Sequence, residues 1–180
     1  LSLLPFGFVS APASAESDPG IAAFVAYLDS SVRAVQSGAG ARARCRDLTV
    51  RVMELDHMAR AAAKDAWDSM SAQQRVAYRS AFQEKMTTEC VRVTRENPAG
   101  KVTLAGVRTV SGGDRLVTTR FDGEGSRTVT WRVRGSGSRL KAVDVIADGR
   151  SAVSSARQEY ARVLESNHGN VDALIAFMHK

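Results

Sequence analysis

Histidine and cysteine are scarce in this chain, with three and two among 180 residues. That scarcity narrows the chemistry open to it. A hydrolytic site needs a nucleophile beside a base, and His57, His168 and His179 stand in no recognisable catalytic setting. Gly135-Ser136-Gly137-Ser138 lacks the spacing of a nucleophile elbow and reads as a hairpin turn. There is no phosphate-binding P-loop and no dinucleotide fingerprint. Asp56 and His57 are neighbours on a helix, where adjacent side chains point about 100° apart, so they do not form a dyad. Neither cysteine has a histidine or second cysteine at ligand spacing, which argues against a metal, and nothing calls for a cofactor. No apolar run is long enough to cross a bilayer. Internal repeats and low-complexity linkers are also missing, so the reading is one domain and no enzyme. Asp144 and Asp148 are the only remaining acid/base candidates, to be weighed against the commoner structural ion pair.

What is present begins with an uncharged amino-terminal stretch. Leu1 to Val9 is mostly apolar, and Ala13-Ser14-Ala15 before Glu16 has the small-x-small form of a signal-peptidase site. Residues 1–15 are therefore expected to be most of an export signal, and 16–180 a single folded domain. Export puts Cys45 and Cys90 in an oxidising compartment, where an even count favours a disulfide over two buried thiols. Closing a loop of about 45 residues would stabilise the fold by roughly 3–4 kcal/mol. The formal charge of +6 falls wholly outside residues 1–15. Arg42, Arg44, Arg46 and Arg51 form one basic cluster, and Arg132, Arg134, Arg139 and Lys141 another. After export their available polyanions are membrane headgroups and acidic partner proteins; the plainer reading is a solvated face.

Periodicity supplies the elements. Ile21, Phe24, Val25, Leu28, Val32 and Val35 recur at three and four, which predicts a helix over 18–37. A second helix is expected over 41–53, and a third from Leu55 to Trp67 with Asp56 as its cap. Ser71-Ala72-Gln73-Gln74 is a capping box opening the longest helix, 72–97, with Val76, Phe82, Met86, Cys90 and Val93 as its expected seam. Composition then turns to β. Four strands separated by Gly-rich turns predict an antiparallel meander: 102–110, 115–121, 129–134 and 140–147. Ser151 is the expected N-cap of a helix carrying Val153, Ala156 and Tyr160. Helices packed on one face of a curved four-stranded antiparallel sheet make the class α+β.

Two blocks carry a resemblance. Leu55-Asp56-His57-Met58-Ala59-Arg60 with Trp67, Ser71-Ala72-Gln73-Gln74 and Phe82 resembles the helical half of the MlaC family, the toluene-tolerance type of phospholipid-transport protein. Val129-Thr130-Trp131-Arg132-Val133, then Asp144-Val145-Ile146-Ala147-Asp148-Gly149-Arg150-Ser151 and Arg157-Gln158-Glu159, resembles its carboxy-terminal half. The paired cysteines fit the hopanoid-associated HpnM branch as well. One departure stands out: the family usually has Leu-Gly ahead of the tryptophan, where this chain has Ala63-Lys64.

The resemblance implies an NTF2-like arrangement with an apolar cavity between helices and sheet. It implies a periplasmic carrier of phospholipid, or of a hopanoid-type lipid. Such a carrier is the soluble part of an ABC-transport system, moving lipid between an inner-membrane transporter complex and an outer-membrane lipoprotein complex. About 30 acyl methylenes at ~0.8 kcal/mol each amount to roughly 24 kcal/mol of burial that a carrier must replace. Strand alternation nominates Val129, Trp131 and Val133, with Val143 and Val145 beside them and Val117 and Phe121 on the neighbouring strand. Met58, Phe82 and Met86 would close the cavity from the helices. A filled core would show the same pattern. The alternatives are an exported adaptor module without a lipid cavity, and a small curved-sheet enzyme using Asp144 or Asp148.

Overall fold

A computed structural model describes residues 18–96, 98, 100–123 and 125–179. The expected export signal at 1–15 lies outside the described residues. Helices α1 (Pro19–Gln36), α2 (Ala41–Val52), α3 (Leu55–Ala63), α4 (Asp65–Ser69) and α5 (Ala72–Glu96) come first. Strands β1 (Lys101–Thr109), β2 (Arg115–Asp122), β3 (Arg127–Arg134), β4 (Lys141–Ala147) and β5 (Arg150–Ser151) follow, then α6 (Ala152–Ser166) and α7 (Val171–Met178). The sheet is antiparallel throughout, in the order β1-β2-β3-β4-β5.

The class is α+β as expected, but among the described residues the sheet has five strands rather than four. The fifth exists because Asp148 (φ 51°) and Gly149 (φ 72°) both turn left-handed. An Asp-Gly pair in that conformation makes a two-residue hairpin. It folds Arg150 and Ser151 back against Ala147 and Ile146. Ser151 then caps α6 by accepting from the Ser154 amide at 3.0 Å. The Asp144 carboxylate closes the corner, accepting from the Val145 and Val153 amides and the Ser151 hydroxyl at 2.8, 3.1 and 2.6 Å.

Capping explains several helix starts. Asp18 accepts from the Gly20 and Ile21 amides to begin α1. The Ser71 box forms in both directions, at 3.1 and 3.0 Å, ahead of α5. Asp56, in contrast, is not a cap. The preceding chain is held against the sheet, with Met53 bridged to Ala142 and the Glu54 amide donating to the Ala142 carbonyl at 2.8 Å. Helix α3 therefore starts at Leu55, leaving Asp56 inside the first turn and 3.4 Å from Arg79.

The expected 55–67 helix is also broken in two at Lys64, which adopts φ 49°, ψ −123°. This is a backbone region that glycine occupies freely and lysine does not. Here the Ala63-Lys64 departure has a cost. Relief of roughly 1–3 kcal/mol of strain, less the entropy that glycine loses on folding, gives Lys64→Gly an expected gain of about 1 kcal/mol. A thermal melt should rise by roughly 2–4 °C, and a lowered midpoint would contradict the strain.

Among the described residues, side chains bury in two clusters. The sheet core joins Ile21, Phe24 and Leu28 of α1 to Val117, Trp131 and Val133. The helical core joins Met58, Trp67, Tyr78, Phe82, Tyr160 and Leu174. Met53 and Val145 pack against both. Helix α5 serves both cores, with Tyr78 and Phe82 in one and Cys90 against the other. That dual role rotates its seam away from the expected one: Val76 is 66% and Val93 39% exposed. The buried Thr87 and Thr94 hydroxyls donate instead to the carbonyls of Gln83 and Cys90. Cys45 of α2 and Cys90 of α5 form the expected disulfide.

The basic cluster on the hairpin is partly structural. Asp114, 2% exposed in the β1–β2 turn, accepts from Arg132 at 2.7 Å and from Arg134 at 2.8 and 3.0 Å. The Arg134 hydrogen bonds, with the one from Arg132 behind them, hold the Asp114 carboxyl below its ordinary value of 3.8 despite burial. A depressed folded-state pKa adds stability above the unfolded value and loses it as pH falls through the folded one. Stability should therefore fall as pH drops below about 4, partly through this group. Asp114→Asn should cost about 1–2 kcal/mol at pH 7, because both arginines remain half exposed. It should also flatten the acid limb; urea titrations at pH 7 and pH 3 giving identical losses would refute this.

Candidate functional site

Where the carboxy-terminal half of α5 passes the open end of the sheet, a cavity of about 240 Å³ forms. Val32 of α1, Thr94 of α5, Phe121 of β2 and Val129 of β3 make its floor, being buried or half buried. The alternation of each strand puts them there. Val117, Thr119 and Phe121 share one face of β2, and Val117 and Thr119 pair with Trp131 and Val129 of β3. Beneath the floor the Trp131 indole N–H donates to the Thr119 hydroxyl at 2.9 Å, and that hydroxyl donates to the Val129 carbonyl. Phe24 meets the Trp131 ring edge-on, with centroids 5.8 Å apart.

Charges stand at the rim. Arg92 lies between Glu89 and Glu96 on α5 and donates to both, at 2.9 Å from its Nε to Glu89. The Glu89 hydrogen bond is the main cause that pushes the Arg92 pKa further up. Arg127 begins β3, Asp122 ends β2 in contact with Arg120 at 2.8 Å, and Asp148 sits in the β4–β5 turn.

Glu89 also lines a second, more open furrow of about 640 Å³ between α5 and α6. Its walls include Met86, Ala156, Tyr160 and Val163, spanned by a Lys85–Glu159 ion pair at 3.2 Å. The Tyr160 hydroxyl is buried without a hydrogen-bond partner among the described residues, and burial pushes its pKa up.

Of the residues nominated from sequence, Phe121 and Val129 meet at the cavity floor. Val117, Trp131 and Val133 lie in the sheet core beneath it. Met58 and Phe82 belong to the helical core, Met86 lines the furrow, and Val145 packs between the two cores. Val143 does not share a face with Val145. A bulge pairs Val133 with Ala142 and Arg132 with Asp144, so Val143 falls out of the alternation. It lines a surface recess with Arg132, Val153 and Arg157. Val32, Thr94, Arg92 and Arg127 were not nominated. Val32 was legible as part of the apolar stripe of α1, but its meeting with β2 and β3 was not.

Much of the basic surface is engaged within the molecule. Arg42 pairs with Glu84, Arg44 donates to the Ala34 carbonyl, Arg51 stacks over Tyr27 at 4.4 Å, and Lys141 donates to the Val50 carbonyl. Among the described residues, no group of His, Cys, Asp and Glu converges as a metal site would, and no helix is long and apolar enough to cross a membrane.

The fold has a solved counterpart. A phospholipid-binding protein from Ralstonia solanacearum, determined in complex with a phospholipid, superposes with a TM-score of 0.72. It is 17% identical, and the match covers 91% of this chain and 96% of that one. At this identity the likeness speaks for the fold. No curated protein matches the sequence. The model of the family described as MlaC protein matches residues 25–180, and the chain therefore belongs to the MlaC family.

Proposed function

We propose that the protein is a lipid carrier of the periplasm, the soluble component of an ABC-transport system. It takes a phospholipid, or a hopanoid-type lipid, between an inner-membrane transporter complex and an outer-membrane lipoprotein complex. The observation that carries this reading is the cavity, apolar at its floor and charged at its rim, in a chain of the MlaC family. Acyl chains enter over Phe121 and Val129, and the headgroup stays among the rim charges. Ligand pockets commonly measure about 300–1,000 Å³, and the cavity here is about 240 Å³. The floor and the Trp131 layer beneath it therefore part as a two-chain lipid enters. No catalytic group is required.

Mass spectrometry that preserves complexes should find lipid co-purifying with the protein, and stripped protein should take up labelled phospholipid. Protein that never carries or accepts lipid overturns the reading. Val129→Glu puts a carboxylate on the apolar floor and should lower uptake at least tenfold, since burying an unpaired charge costs several kcal/mol. Val76→Glu, on the exposed side of α5, is the matched control and should keep uptake intact. The adaptor alternative loses support from the intramolecular partners of Arg42, Arg44, Arg51, Arg132 and Arg134.

A further inference from the structure

The chain carries a formal charge of +6, yet among the described residues the cavity lining has two cations, Arg92 and Arg127, against four anions, Glu89, Glu96, Asp122 and Asp148. Counting Arg120, which holds Asp122 from outside the lining, the balance is still acidic. Arg92 is clamped by two carboxylates and has little charge to spare for a ligand. The 25 residues of α5 also end at Glu96 beside the rim. The carbonyl end of a helix carries roughly half a negative charge, so backbone and side chains act with the same sign. Arg127, in no ion pair among the described residues, is the one cation of the lining left to meet an anion.

We infer that the mouth of the cavity selects lipids whose headgroup bears an ammonium group, Asp148 and the one negative charge that Glu89 and Glu96 keep in excess over Arg92 receiving the cation, and Arg127 any phosphate beside it. This rests on the lipid-carrier reading and names its substrate class. An aminophospholipid satisfies the mouth fully. A long-chain amine without phosphate satisfies the carboxylates alone. A headgroup with only negative charge meets net repulsion.

The test is uptake from vesicles containing labelled phosphatidylethanolamine or phosphatidylglycerol with identical acyl chains. At low salt the ethanolamine lipid should be favoured about three- to tenfold, and the preference should shrink as salt screens the exposed rim. The double substitution Glu96→Gln with Asp148→Asn should bring the ratio close to one. Asparagine suits the left-handed backbone at position 148. Arg127→Gln should narrow the gap between phosphatidylethanolamine and a long-chain amine lacking phosphate. The salt series on the unaltered protein measures the selectivity whether or not a variant folds. Equal uptake, or preference for the glycerol lipid, overturns the selectivity and leaves the carrier reading standing. No uptake of either lipid overturns both.

Discussion

Trp131→Ala is expected to destabilise the protein by about 3–5 kcal/mol, the range for deleting a large buried aromatic ring. The ring is 7% exposed, packs edge-on to Phe24 and hydrogen-bonds Thr119. Truncation removes one of the contacts joining α1 to the middle of the sheet and leaves a void below the cavity floor. Trp131→Phe keeps a ring facing Phe24 and loses chiefly the hydrogen bond, so it should cost about 1–2 kcal/mol. Urea midpoints of the two variants separate these losses. Equal costs for Phe and Ala would mean that the ring contributes no packing. Because Trp131 supports Phe121 and Val129, the Ala variant should also take up lipid differently even where it remains folded.

Replacing Cys45 and Cys90 together by alanine is expected to cost about 4 kcal/mol, the loop-closure contribution for a separation of 45 residues. Reduction should have a similar effect on the native protein. Cys45 is fully buried, so alanine is a better replacement than serine, which would bring an unsatisfied hydroxyl. A loss below 1 kcal/mol in urea would show that the unfolded chain gains little from release of the loop. Cys90 lies next to Glu89 and two residues before Arg92 on the wall of the cavity. Opening the bond therefore loosens the wall as well as lowering global stability.

Local signals in the sequence were those whose partners lie within a few residues. The Ser71–Gln74 box and the Ser151 cap were readable because each is complete in four positions. The cysteines were readable because there are only two. The break at Lys64 was hidden, since an alanine-rich segment without glycine or proline shows no reason to stop a helix. The bulge at Val143 was hidden because Val143 and Val145 preserve a perfect alternation along the chain. The fifth strand was hidden because two residues carry no period. In α5 the apolar positions were visible, but not the two partners between which they are divided. The same limit applies to the site. Phe121 and Val129 follow from strand alternation, whereas the rim depends on the end of α5 arriving beside the β2–β3 turn, a relation between distant segments.

Among the described residues strand β1 has one neighbour, β2, and a strand so placed can recruit a strand from another molecule. The register slip between Leu104 and Gly106 interrupts it midway, and Lys101 and Arg108 place charge along it. Asp29 of α1 accepts from the Val102 amide at 2.8 Å, occupying one of its donors. At the opposite border β5 offers just two residues before α6 begins. Both borders are thus poor templates for adding a strand from a second molecule, and association of this protein through its sheet edges is disfavoured.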